Sequence, residues 1–84
     1  MSDVDLSRLR SVTARDLTRA LLKDGFVLER QKGSHRQYSH PNGRRVTLTF
    51  HSPGDTFPLK LLSSMIEKQA KWTEADLKRV GLLS

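Results

Sequence analysis

Apolar and polar positions recur with two different periods along this chain, and the changes of period mark its elements. Between Thr13 and Gly25, Ala14, Leu17, Leu21 and Leu22 fall on one side at helical spacing, while Arg15, Arg19 and Lys23 face outward. Thr13 is a good N-cap, Asp16 supplies a variant of the capping box, and Gly25 suits the position just past the helix end. The period then drops to two. "FVLERQ" sets Phe26 and Leu28 on one face and Glu29 and Gln31 on the other. "HRQYSH" divides His35, Gln37 and Ser39 from Arg36, Tyr38 and His40. "RRVTLTFH" is the clearest strand, with Val46, Leu48 and Phe50 alternating with Arg45, Thr47, Thr49 and His51. Between the strands lie Lys32-Gly33-Ser34 and Pro41-Asn42-Gly43. The second is a strong hairpin signal, because Asn-Gly supplies positive φ angles.

"SPGDTFP" is a loop, and a second helix begins near Pro58, a residue suited to a first turn. Leu59, Leu62, Met65, Ile66 and Gln69-Ala70 keep helical spacing until Trp72 interrupts it. Thr73 with Asp76 repeats the cap pattern, and a short helix "EADLKRV" runs into Gly81. The order is α-β-β-β-α with an added C-terminal helix. A three-stranded antiparallel sheet buries one face under the two longer helices, giving an α+β fold. The whole chain, 1–84, is expected to be a single domain: a loosely ordered lead-in over 1–12, a core over 13–70 and a helical tail over 71–84.

Composition narrows the class. With 36% hydrophobic and 29% charged residues the chain is globular rather than disordered. No apolar run approaches the ~18 residues that span a bilayer. The start, "MSDVDLSRLR", has no apolar signal region, and the absence of cysteine excludes disulfides and thiolate sites. A small cytoplasmic protein is the expectation. The charge says more. The formal net charge is +6, and Arg30, Lys32, Arg36, Arg44, Arg45 and Lys60 face a single acid, Asp55, within one window. A local basic field of this kind favours a polyanion, nucleic acid before anything else.

Most catalytic constellations are absent: no phosphate-binding GxxxxGKS loop, no GxSxG elbow, no HExxH. The three histidines do not stand at metal-ligand spacing and no acids cluster near them, so neither metal nor cofactor is expected. "KGSH" is the candidate that remains. Gly33 lets a backbone approach closely, and the Gly33-Ser34 amides can form an anion-binding concavity. Imidazole titrates near neutrality, so His35 can serve as general base to a 2′-hydroxyl or general acid to a departing 5′-oxygen. Arg30, Lys32 and Arg36 are placed to hold the phosphate and stabilise charge developing on it. RNA suits such a site because it carries its own nucleophile. His51 is a second acid/base group if the strands bring it beside His35, whereas His40, before Pro41 in a turn, fits a local structural bond. Tyr38, Phe26, Phe50 and Trp72 are expected in the core rather than as base-stacking platforms.

Residues 24–51, "DGFVLERQKGSHRQYSHPNGRRVTLTFH", resemble the signature of HicA-type toxins (the HicA/YcfA-like family) of toxin–antitoxin systems. The resemblance is carried by Gly25, Phe26, Arg30, Lys32-Gly33-Ser34-His35, Tyr38, Pro41-Asn42-Gly43, Arg45-Val46 and His51, and the tail "KWTEADLKRVGLL" extends it. It implies a double-stranded-RNA-binding-domain-like fold and a metal-independent endoribonuclease that cleaves mRNA and arrests translation. It also implies His35 as the catalytic residue, and a HicB-type antitoxin that covers the active face. RNA and phosphate contacts then fall to Arg30, Lys32, Gly33, Ser34, Arg36 and Arg45, with His51 auxiliary. The chain departs from the pattern in Arg36-Gln37 after the histidine and in "FPLKLL" before the second helix. Two other readings use the same basic window: a non-catalytic double-stranded-RNA-binding module, and a degenerate toxin acting only through its protein partner.

Overall fold

Thr13 begins the first helix by a reciprocal pair of bonds. Its Oγ1 accepts from the Asp16 N–H at 3.2 Å, and Asp16 Oδ2 accepts from the Thr13 N–H at 3.0 Å. The bond from the Thr13 backbone is the main reason the Asp16 carboxyl titrates below its ordinary value. In the computed structural model, which describes residues 6–83, helix α1 runs Ala14–Lys23. Two further first-turn donors find acceptors in the loop before the second helix: Ala14 N–H bonds the Asp55 carbonyl and Arg15 N–H that of Pro53. Ala14, Leu17, Ala20 and Leu21 are buried. Leu22, expected with them, is 54% exposed, because one helical step beyond Leu21 turns it off the core face.

Gly25 closes α1 with φ +101°, and the Phe26 N–H returns to the Leu21 carbonyl at 2.9 Å. A Cβ here would also meet the His40 ring, 3.1 Å from Nε2. Glycine is therefore required by conformation and by space together.

Strands β1 (Val27–Lys32), β2 (His35–Ser39) and β3 (Arg45–Thr49) form one antiparallel sheet in the order β1-β2-β3. β2 and β3 alternate as expected, with Tyr38, Val46 and Leu48 buried beneath the helices. β1 does not. A bulge between Leu28 and Arg30 leaves Glu29 out of the ladder, and Arg30 rather than Glu29 pairs with Gln37. The face assignment expected for Glu29 and Gln31 is corrected accordingly: Gln31 pairs with Arg36 on the helix side. Leu28, expected on the face of Phe26, is 46% exposed on this edge strand, whereas Phe26 is buried. The Pro41-Asn42-Gly43 connection is a three-residue loop, with Gly43 N–H on the His40 carbonyl and positive φ at Gly43 but not at Asn42.

The lead-in is docked from Leu6 onward, since Leu6–Leu9 make a 3-10 turn that buries Leu9 and Val12 follows into the core. Residues 1–5 of that expected lead-in lie outside the described residues. Pro58 stands at the N-cap of α2 (Leu59–Ser63), which continues as a π-helical stretch over Ser64–Gln69. The wider turn lets Leu62, Met65, Ile66 and Ala70 all reach the core, and the Ala70 N–H bonds the Met65 carbonyl. Lys71, at φ +57°, reverses the chain, and the capping box of Thr73 and Asp76 starts α3 (Glu74–Arg79). Leu77, Val80 and Leu83 of this tail are buried with the rest.

One carboxylate ties these pieces together. Asp24, at the end of α1, receives Trp72 Nε1 at 2.9 Å, Arg44 Nη2 at 3.0 Å and Arg79 Nη2 at 2.7 Å. Burial works to raise the Asp24 carboxyl, but the bonds from Trp72 and Arg79 and the charges of Arg44 and Arg79 outweigh it, and the net displacement is downward. Arg44 also donates to the Ala70 carbonyl at 2.6 Å and lies over the Phe26 ring. Among the described residues no helix is long and apolar enough to cross a membrane.

Candidate nucleic-acid interface

The helices cover one side of the sheet, and the ladder pairings determine what the other side presents. Residues directly opposite in an antiparallel pair point to the same face. One row across the open face is therefore Lys32, His35 and Thr49, the next is Arg30, Gln37 and Thr47, and a third holds Val27, Ser39 and Arg45. Arg30, Lys32, His35, Gln37 and Thr47 line an open depression of about 260 Å³. Among the described residues none of Arg30, Lys32 and Arg45 is ion-paired, whereas Arg44 and Arg79 are. Uncompensated cations on a concave strip give it a positive potential.

His35 opens β2 and is exposed. Its Nδ1 lies 2.9 Å from Thr49 Oγ1 across the β2–β3 ladder. A threonine hydroxyl can donate or accept, so this partner suits either tautomer. With Nδ1–H donating to Oγ1, Nε2 is left as the atom able to take a proton, and the same bond survives in the imidazolium. The two-residue turn before it, Gly33-Ser34, has positive φ only at Gly33 (+59°). Among the described residues no atom beyond its two chain neighbours lies within 4 Å of where a Gly33 Cβ would stand. Glycine serves the turn here rather than a close contact.

The other sequence candidates separate. Arg45 shares the open face but pairs with Ser39, four positions along β2 from His35, or roughly 13 Å at strand rise. Arg36 faces the other way: it pairs with Leu48 on the helix side, its guanidinium 4.1 Å above the Phe50 ring. The grouping of Arg36 with Arg30 and Lys32 is thus divided by the sheet itself. His51 lies past the end of β3, and its backbone N–H donates to Asp55 Oδ2 at 3.0 Å. That bond, with the one from the Ser52 N–H, holds the Asp55 carboxyl below its ordinary range. His51 does not line the depression that His35 lines. His40 accepts from the Asn42 N–H through Nδ1, so Nε2 carries the proton and donates to the Asp24 carbonyl at 2.8 Å. It is a structural histidine, packed edge-on to Phe26.

Thr49, Gln37 and Thr47 are site-facing residues that sequence reasoning assigned no role. The alternation of "RRVTLTFH" already put Thr47 and Thr49 on the polar face, and only the strand register was missing. Gln69, whose Oε1 accepts from the Thr47 N–H at 2.9 Å, had no sequence signal.

A small basic α+β protein with an open cationic sheet face and one imidazole at its end is the class that fold and site define. The chain belongs to the family of HicA toxins of bacterial toxin–antitoxin systems, whose model matches residues 14–72 of the 84. It is a toxin of such a system, and that membership implies an antitoxin partner. No curated protein matches the chain.

Proposed function

We propose that this toxin is an endoribonuclease that cleaves messenger RNA, with His35 as its proton-transfer group and Arg30 and Lys32 as its phosphate contacts. The observation that carries the reading is the row Lys32–His35–Thr49 on an open, uncompensated basic face. Nε2 takes the 2′-hydroxyl proton as O2′ attacks phosphorus. The O2′–P bond forms as the P–O5′ bond breaks, and the departing 5′-oxygen receives its proton from the imidazolium or from water. The products are a 2′,3′-cyclic phosphate and a 5′-hydroxyl. A positioned acid or base of this kind contributes about 10²–10⁴-fold in rate. Lys32, across the ladder from the ring, stabilises the phosphorane charge. The Gly33 and Ser34 amides beside it and Arg45 further along the face extend the track for the RNA backbone.

The antitoxin is proposed to be of the HicB type and to neutralise the toxin by covering this face. The test is regulated expression of the wild type and of His35→Ala, following growth and transcript integrity. Wild-type expression should arrest growth and fragment transcripts, and His35→Ala should do neither while accumulating as folded protein. Intact transcripts beside tight, salt-dependent RNA binding would favour a non-catalytic double-stranded-RNA-binding module instead.

A further inference from the structure

A second cleft lies on the side of the sheet away from His35. Its volume is about 500 Å³, and Arg15, Arg19, Leu22, Arg36, Phe50 and Pro53 form its walls. The lining is mostly carbon, yet three guanidinium groups rim it, and among the described residues none of the three is ion-paired. The acid closest in sequence, Asp16, is engaged with the Thr13 N–H and acts on Arg15 and Arg19 only through its charge. Arg36 is the sharpest anomaly. Its Nη1 is buried with no hydrogen-bond acceptor among the described residues, while the guanidinium plane is held over Phe50. A buried charged donor without a partner is destabilising, and a carboxylate entering the cleft would satisfy it through a charge-assisted bond. Leu22, 54% exposed at the wall, offers apolar surface to the same visitor.

We propose that this cleft seats a segment of a protein partner in which an apolar side chain is flanked by carboxylates. The partner is the antitoxin, so the proposal rests on the toxin reading. The apolar lining and the arginine rim ask for both halves of that chemistry at once. An RNA strand supplies the charge but no aliphatic side chain for the apolar lining, and Arg36 already occupies one face of Phe50. Because cleft and depression lie on opposite sides of the sheet, a short peptide in the cleft leaves His35 accessible. The antitoxin thereby has an anchoring point independent of the surface that it must block.

The test uses the full chain carrying His35→Ala, labelled with ¹⁵N, and three probes. These are a short peptide of alternating leucine and glutamate, the same peptide with lysine for glutamate, and a short single-stranded oligouridylate. The acidic peptide should shift the amides of Arg15, Arg19, Arg36 and Phe50, leave those of Lys32, Thr47 and Thr49 unmoved, and not compete with the oligonucleotide. Arg36→Met should weaken its binding by about tenfold or more. Should Arg36→Met fail to fold, the exposed pair Arg15→Gln/Arg19→Gln carries the same expectation. No saturable binding of the acidic peptide, equal binding of the lysine peptide, or cleft shifts caused by the oligonucleotide alone would overturn the proposal. Loss of ribonuclease activity or its absence is read separately, from RNA products, and leaves these outcomes interpretable.

Discussion

Thr49 Oγ1 stands 2.9 Å from His35 Nδ1, directly across the β2–β3 ladder. The bond turns Nδ1 toward Thr49, and in the proposed mechanism Thr49 is the positioning residue for the ring. Thr49→Val keeps the β-branched shape and removes the hydroxyl. It should lower RNA cleavage by roughly tenfold, a loss of about 1.4 kcal/mol of positioning. As an exposed strand position, it should move stability by no more than about 0.5 kcal/mol. Thr49→Ser should recover most of the rate, measured as single-turnover cleavage at matched protein folding. Equal rates for all three proteins would remove Thr49 from the site.

Among the described residues Arg30 and Lys32 have no ion-pair partner, and both are exposed, so their loss should be read in binding and not in folding. Arg30→Ala and Lys32→Ala should each lower the slope of log affinity for single-stranded RNA against log salt by about 0.7. Thermal unfolding should barely change. An unchanged salt slope for either variant would show that its charge does not meet phosphate.

Asp24 should behave in the opposite way. Its carboxylate is 6% exposed and bonded to Trp72, Arg44 and Arg79, so Asp24→Ala strands a largely buried Arg44. Breaking such a pair from one side costs about 3 kcal/mol or more, a fall in Tm of roughly 10–20 °C at this chain length. The pH dependence follows from the direction of the shift. The folded-state carboxyl is held below its unfolded value, so it stabilises the fold above the ordinary aspartate range near 3.8. That contribution should fade as pH falls through and below this range, and Asp24→Ala should show a flatter acid limb than the wild type in denaturant titrations at stepped pH.

Glu29 is the residue that β1 carries in excess. Phe26 must point inward, while Lys32 must share the face of His35. Six positions of strict alternation would place the two on one face, and the bulge supplies the change of phase. Deleting Glu29 should therefore be tolerated, because Leu28 opposite Tyr38 and Arg30 opposite Gln37 then follow in a regular ladder. Deleting Gln31 instead should break the phase and cost far more stability. Amide exchange across β1 and β2 distinguishes the two, and equal damage from both deletions would contradict the register.

What was legible in the sequence is what short-range chemistry decides. The boxes of Thr13 with Asp16 and Thr73 with Asp76 form within one turn, and both are present. Val46 and Leu48 alternate with Thr47 and Thr49 because β3 packs one face only, and the place of His40 before Pro41 already fits its local bond to Asn42. What was not legible depends on partners distant in the chain. Arg44 belonged on paper to the basic window, but Asp24 and Ala70, twenty and twenty-six residues away, turn it into an internal brace. The bulge at Glu29 reconciles two faces that local alternation cannot see together. Period two did set Arg36 apart from His35, yet charge alone grouped them, and the sheet now stands between.

The most direct measurement is cleavage of a defined RNA by purified wild-type protein and by His35→Ala, with the variant's fold checked by its amide spectrum. The account predicts that the wild type yields fragments ending in a 2′,3′-cyclic phosphate. It predicts that His35→Ala, folded and still binding RNA, loses about 10²-fold or more of that rate. Undiminished cleavage by a folded His35→Ala protein would contradict it.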